Sequence, residues 1–428
     1  SSPVIVDVID SKKLDNTQSC VLSEGLKFQP GLRVETDCQT CNYTQLRMNG
    51  LGGGYSQILI NGRPIFSPLT GLYGMEQIPS NMIEQIEIVR GGGSALYGSS
   101  AVGGVVNVIT KIPSENNFNI ASTYQNIKGT NDFILTGNSS LVSRNKKQGI
   151  TLFLNQRKRE AFDANGDHFS EIPELSNQSF GSTAFWKPSE QQKFEVAFSS
   201  INEYRYGGDL TATETHLARQ AEERTHQVIL GNLDYQYNFI NDKASLIAFL
   251  AGQTTNREHY TGILPSDTIE LESHIATPPY GTSENLTAQG GLQFNYRFTH
   301  FLSGSNTFTI GSEYVLDRIL DEIPSYGYKV DQTTQNLGGY FQSNWDVFPK
   351  IKLLSGFRLD KHNKLNHVVI SPRVSIMYTI KGNTQLRASW STGFRAPQAF
   401  DTDLHIAFAG GGVSRIMLDP TLKEERSN

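Results

Sequence analysis

No run of about 18 apolar residues occurs anywhere in the 428-residue chain, which excludes a transmembrane helix. Cysteine is scarce, with only Cys20, Cys38 and Cys41. Cys38 and Cys41 form one C-x-x-C. A zinc ribbon needs a second such pair, and a thioredoxin-like redox motif needs a βαβ context; neither is present. Basic excess is absent too: the formal charge is −5 and the pI near 6.0, so nucleic acid is not an expected partner. The glycine-rich stretch GGGSALYG is not followed by G-K-[ST], so it is not a Walker A loop. The strand-like VVNVIT after it leaves no room for the helix of a dinucleotide fingerprint. No Ser-His-Asp order or carboxylate pair stands out, and catalysis is not expected. The opening residues SSPVIVDVID do not read as a signal peptide.

Only 37% of residues are hydrophobic and the mean hydropathy is −0.36. That does not exclude a membrane. In a transmembrane β-barrel lipid-facing and lumen-facing residues alternate, so the average stays polar.

Two regions have different patterns. Residues 1–114 read as mixed α/β, with short apolar strands at 58–62 (ILING), 86–91 (IEIVRG) and 105–110 (VVNVIT) between glycine-rich turns. SCVLSEGLKF and MEQIPSNMIEQI read as short helices, and Pro113 with SENN as a linker. Residues 115–428 switch to long period-2 strands. NLDYQYNF sets Leu233, Tyr235, Tyr237 and Phe239 on one face against Asn232, Asp234, Gln236 and Asn238; LQFNYRFT and KFEVAFSS repeat the pattern. About thirteen strands fit between 116 and 393, several of them longer than the usual strand of about 5–6 residues.

Short connections near 144–148, 188–191, 240–243, 348–350 and 380–383 alternate with long ones at 158–176, 205–222, 259–282 and 320–334. Short periplasmic turns and long extracellular loops are the pattern of an outer-membrane barrel. Tyr237, Phe239, Phe298, Trp345 and Phe348 gather beside the short turns, as an interfacial girdle requires. Bacterial barrels have even strand counts, so thirteen strands imply that the C-terminal part of the barrel is not covered.

The ordered blocks QPGLRVE, QLRMNGLGGGYSQILINGRPIF and IPSNMIEQIEIVRGGGSALYGSSAVGGVVNVITK resemble the plug domain of TonB-dependent outer-membrane receptors. SPR (371–373), GFRAPQAF (393–400) and LDPTLKEERS (418–427) resemble the paired loop motifs of that family's barrel. The details, the C-x-x-C included, look most like receptors of the Bacteroidetes, in the branch with cobalamin and haem transporters. The resemblance implies a 22-stranded membrane β-barrel with the N-terminal α/β plug inside its lumen. It implies an outer-membrane importer energised by TonB with ExbB and ExbD, with SPVIVDVID (2–10) as the flank of a TonB box. A surface lipoprotein capping the barrel is a further partner of that branch. It also implies that Arg47 and Arg90 are plug arginines paired with barrel glutamates, Glu313 being a weak candidate partner.

Three site readings follow. In FDANGDHFSEIPEL, Asp163, Asn165, Asp167, Phe169, Glu171 and Glu174 fall at positions 1, 3, 5, 7, 9 and 12 of a calcium-loop count, an oxygen set suited to Ca²⁺. His168 stands at position 6, where glycine is expected, and no flanking helices are predicted. Calcium ordering of outer loops favours cobalamin as the ligand. Block alignment places Asn42, Tyr43, Ser67, Leu72 and Tyr73 on the plug's outward loops, where they would touch ligand. A Cys38–Cys41 disulfide would stiffen the first of these; Cys20 could instead pair with Cys38 or Cys41. Haem is the alternative ligand: His405 lies between the FRAP-like and NPDL-like motifs, where haem receptors of this fold carry an axial histidine. Residues 1–114 contain no histidine, which weighs against a two-histidine clamp. A ferric-siderophore receptor and, less favoured, a passive porin complete the alternatives.

Overall fold

In the computed structural model, residues 3–38, 43–64, 74–91, 102–381, 384–399, 418–419 and 421–428 are described, without the side chains of Asp37, Cys38 and Tyr43. The N-terminal region holds β1 (Val6–Asp10), α1 (Ser11–Asn16), α2 (Leu22–Leu26), β2 (Leu32–Cys38), β3 (Tyr43–Met48), β4 (Ser56–Ile60), β5 (Ile83–Arg90) and β6 (Gly104–Thr110). Its sheet has the order β1-β5-β6-β4, with β4 and β6 parallel and the other pairs antiparallel. The expected flank of a TonB box is therefore in part the edge strand of this sheet. Asp10 caps α1 by accepting from the Lys13 backbone N–H at 2.8 Å. Leu22, Leu26, Ile83, Ile86, Ile88, Val106 and Val108 form a closed core. Both expected helical segments appear, as α2 and as short turns at 74–77 and Ser80–Met82.

The glycine-rich motif serves packing. A Cβ on Gly104, the first residue of β6, would collide with Met48 Sδ and the Val89 carbonyl. Only glycine lets β6 begin this close to β5 and β3.

Residues 117–391 form one antiparallel sheet of thirteen strands in chain order: β7 (Asn117–Ile127), β8 (Thr130–Val142), β9 (Gln148–Arg159), β10 (Glu174–Ser189), β11 (Gln192–Gly208), β12 (Gln220–Phe239), β13 (Ala244–Ile263), β14 (Tyr280–Phe298), β15 (Ser305–Ile323), β16 (Tyr328–Phe348), β17 (Ile351–His362), β18 (Val369–Lys381) and β19 (Thr384–Ser391). A short pair, β20 (Gly393–Arg395) and β21 (Glu425–Ser427), follows.

The period-2 alternation decides which face packs on the N-terminal region. Phe153, Ile201, Val228, Leu230 and Ala251 join its core, which marks the inner face. Their sequence neighbours Leu154, Ile229 and Leu250 point outward and stay 57%, 49% and 62% exposed. Leu292, Ile310 and Leu337 continue that apolar exterior. Such a surface suits hydrocarbon, since in water each exposed side chain forfeits about 1.5–3 kcal/mol of burial. Near the short turns the aromatic rings touch in series: Phe194–Tyr235 at 4.6 Å, Tyr296–Phe298 at 4.5 Å, Phe298–Phe308 at 5.3 Å and Phe301–Trp345 at 5.6 Å between centroids. This is the expected interfacial girdle.

Three of the four expected long connections appear, at 160–173, 209–219 and 264–279, the last carrying α3 (Thr268–Ala276). The fourth, 320–334, is instead a tight turn at 324–327 between two extended strands. Ile319, Asp321 and Ile323 pack inward with Tyr328 and Val330, so pairing continues to Pro324, and Gly327 at φ +58° closes the turn.

Candidate functional site: the plug and the inner wall

The N-terminal region meets the wall through charged side chains as well as its apolar core. Glu76, at the end of the helical turn 74–77, pairs with Arg205 on β11. Arg205 also donates to Glu203 at 2.9 Å, and Gln77 reaches the same carboxylate at 3.3 Å. Thr44 of β3 donates to Glu76 at 2.9 Å. Burial works against the Glu76 charge, but Arg205 outweighs it and holds the carboxyl below its ordinary range.

A second contact joins Glu24 of α2 to Arg157 on β9 at 3.2 Å, with Arg157 held by Asp132 at 2.6 Å. A third lies near the short-turn end, where Arg63 pairs with Asp234 and stacks 3.6 Å over the Phe249 ring. A polar cavity of about 380 Å³ surrounds it, lined by Asn61, Asn107, Lys193, Glu195 and Asp234. Asn81 adds uncharged links, donating to the Leu154 carbonyl at 2.9 Å and accepting from Asn138 at 2.7 Å.

Sequence reasoning singled out none of these pairs. The charged partners Glu76–Arg205, Glu24–Arg157 and Arg63–Asp234 lie more than a hundred residues apart, and only docking of the N-terminal region on the wall brings them together. The one signal available was a charged residue on the polar face of a period-2 strand, and many positions share it.

Among the described residues, Arg47 and Arg90 find their ion-pair partners inside the N-terminal region rather than on barrel glutamates. Arg47 pairs with Glu35 on the adjoining β2. Arg90 pairs with Asp7 of β1 at 2.8 Å and donates to the Pro30 carbonyl. Gly31 sits there at φ +79°, a left-handed conformation glycine takes without strain, and its missing Cβ leaves room for the Arg90 guanidinium. Arg90 therefore ties β1, β5 and the turn before β2 together. Glu313, the candidate partner, binds Arg358 on the wall at 2.7 Å.

The 160–173 loop draws part of the predicted oxygen set together. Carboxylate oxygens of Asp163, Asp167 and Glu171 lie within 4.8 Å of one another. Asp163 accepts from the backbone N–H groups of Gly166 at 2.7 Å, His168 at 2.8 Å and Asn165 at 3.2 Å. Desolvation acts against the Asp163 charge, but these donors outweigh it and lower its pKa. His168 adopts φ +68°, the left-handed conformation that a glycine would supply at this position. Asn165 donates to Asp167 at 3.0 Å. Phe169 lies under the Arg219 guanidinium, 4.3 Å from its ring, while Glu174 starts β10 and is not in the carboxylate group. Three carboxylates this close repel one another unless a cation joins them, and the oxygen chemistry fits Ca²⁺.

The remaining predicted positions fall outside the described residues: Asn42, Ser67, Leu72, Tyr73, His405 and Cys41, with the side chains of Tyr43 and Cys38. Cys20 is free and buried. Burial, with Glu24 adding to it, pushes its thiol up to about 11.

An α/β domain seated against the inner face of an antiparallel wall with an apolar exterior defines a plug-and-barrel membrane protein. Two family models cover nearly the whole chain: the TonB-dependent receptor plug domain over residues 1–105 and the TonB dependent receptor-like β-barrel over 114–428. The chain belongs to the TonB-dependent receptor family, whose members reside in the outer membrane of Gram-negative bacteria.

It is 22% identical to a ferric enterobactin receptor of Pseudomonas aeruginosa, over 89% of this chain and 57% of that protein. It is 24% identical to an iron-regulated outer membrane virulence protein of Vibrio cholerae, over 100% and 62%. It is 23% identical to the vitamin B12 transporter BtuB of Photobacterium profundum, over 99% and 62%. The crystal structure of the siderophore receptor PirA from Acinetobacter baumannii superposes with a TM-score of 0.74 at 21% identity, covering 92% of this chain and 61% of that one. The chain thus spans about three-fifths of the length of these relatives.

Proposed function

We propose that this chain forms the plug and the first thirteen strands of a 22-stranded outer-membrane importer. In this reading TonB, energised through ExbB and ExbD, drives uptake of a large scarce ligand, and cobalamin is that ligand. The observation that carries the importer is the plug's fit: its core and its glutamates Glu24 and Glu76 engage the inner wall, so free diffusion is blocked and work is needed to move it. A passive porin has no use for such a plug.

In the same reading the long connections face outward, and Asp163, Asp167 and Glu171 hold Ca²⁺, with Asn165 and backbone carbonyls completing the set. The cation orders the 160–173 loop over the ligand. Asn42, Tyr43, Ser67, Leu72 and Tyr73 contact ligand from the plug, over a Cys38–Cys41 disulfide. A surface lipoprotein is a further partner.

Cobalamin is supported by the converging carboxylates and by likeness to a vitamin B12 transporter. Likeness to ferric enterobactin receptors supports a siderophore instead. Haem is the other alternative, with His405 as iron ligand. The test is binding of purified receptor to cyanocobalamin and to haemin, with and without EGTA. Tight haemin binding abolished by His405→Ala rejects cobalamin; binding unaffected by EGTA rejects the calcium loop.

A further inference from the structure

Cross-strand register sets Arg159 (β9), Leu175 (β10), Arg205 (β11), Arg224 (β12) and His259 (β13) in one row along the inner face, at the long-loop end of the wall. Arg157 and Arg257 lie in the row beneath. Four of these five arginines have a carboxylate. Arg157 is held by Asp132, Arg205 by Glu203 and Glu76, Arg224 by Glu222, and Arg257 by Asp321 at 3.2 Å.

Arg159 differs. Its Nε donates to the Pro173 carbonyl at 3.2 Å, while its Nη2 is buried and has no acceptor. Among the described residues no carboxylate lies within ion-pair distance of it. A guanidinium without an ion pair beside other arginines does not stabilise a wall; burial costs it hydration that the more distant Glu76 and Asp132 carboxylates offset only in part. A residue of this kind is explained if its counter-charge arrives from outside. Its place fits: Arg159 ends β9 where the 160–173 loop begins, close to the Glu76–Arg205 contact of plug and wall. The guanidinium fork matches the paired oxygens of a carboxylate or phosphate.

We propose that Arg159 is an anion-contact residue for the imported compound, taking a carboxylate or phosphate oxyanion carried by that compound. The proposal rests on the importer reading and narrows its substrate to oxyanion-bearing ligands.

The test uses the whole receptor with two matched probe pairs. Cyanocobalamin has a phosphodiester that dicyanocobinamide lacks; haemin has free carboxylates that its dimethyl ester masks. The pair that discriminates identifies the anion as phosphate or carboxylate. Wild type should bind the acidic member about tenfold or more tightly than its analogue, as a charge-assisted hydrogen bond allows. Arg159→Gln should erase that ratio while leaving the analogue's affinity unchanged, and Arg159→Lys should restore part of it. Ligand-free Arg159→Gln should melt no lower than wild type, because it removes an unpaired charge. Equal weakening of both members, an unchanged ratio, or a lower melting temperature overturns the proposal. If wild type binds neither parent compound, the cobalamin and haem readings fall, and inorganic pyrophosphate then tests the arginine alone. Pyrophosphate binding lost in Arg159→Gln supports the site; equal binding by both proteins, or by neither, overturns it.

Discussion

Glu76 and Arg205, 129 residues apart in the chain, form an ion pair that joins the plug to the barrel wall. Arg205 is 2% exposed at its side chain and keeps Glu203 as a second partner, so its charge stays compensated if Glu76 is lost. Buried pairs of this kind fix position more than they add stability. Glu76→Gln should therefore leave the receptor folded and loosen the plug, by about 1.5–3 kcal/mol for a lost charge-assisted hydrogen bond. The readout is the urea concentration that opens conductance in planar bilayers, which should fall. Arg205→Leu should cost more, about 3–5 kcal/mol, because it strands two buried carboxylates. Equal urea midpoints for all three proteins would contradict this.

Arg63→Ala removes both the Asp234 pair and the stack on Phe249. The pair is part-buried, at 17% and 18% exposure, so desolvation offsets much of its Coulomb gain, whereas a desolvated cation–π contact contributes up to about 2 kcal/mol. Arg63→Lys, which keeps the charge and loses the planar stack, should recover less than half of the loss. Hydrogen exchange of the 61–63 turn measures it; full recovery by lysine would show that the stack contributes nothing.

The 160–173 loop should respond to acid and to chelation together. Asp163 is held below its ordinary value of 3.8, so its contribution to loop order is present above that value and fades as pH falls through the lowered one. Ca²⁺ held as proposed would bind the deprotonated carboxylates, so its affinity should be flat near neutrality and drop in acid. Terbium luminescence, with Asp163→Asn as control, reports it. Luminescence unchanged by that substitution would place the ion elsewhere.

Cys20 should resist alkylation in the native receptor at pH 8 and react once unfolded, because its buried thiol titrates near 11. Mass spectrometry after iodoacetamide treatment checks this. Rapid labelling of native protein would mean that the thiol is exposed.

How far the sequence could be read depends on whether a feature is local. The alternation in 232–239 is visible because Leu233 and Tyr235 meet lipid while Asn232 and Asp234 face the plug, so two solvents impose a period of two. Strand number, the aromatic girdle and three long loops followed from that. The 320–334 segment, expected as a long connection, is mostly strand: Asp321 is a fully buried inner-face partner of Arg257, and pairing runs on to Ile323. In the 163–174 spacing, Asp163, Asp167 and Glu171 do come together, while Glu174 is drawn into β10 by pairing with Tyr206. For Arg47 and Arg90, charge alone does not reveal that Glu35 and Asp7 are their ion-pair partners among the described residues.

The central claim is that the plug closes a wide pore. Single-channel conductance of the full-length receptor in planar bilayers, compared with the same receptor lacking residues 1–114, tests it directly. The account predicts no large steps from the intact receptor and a wide, stable conductance from the plugless one. Equal conductance from both proteins would contradict it.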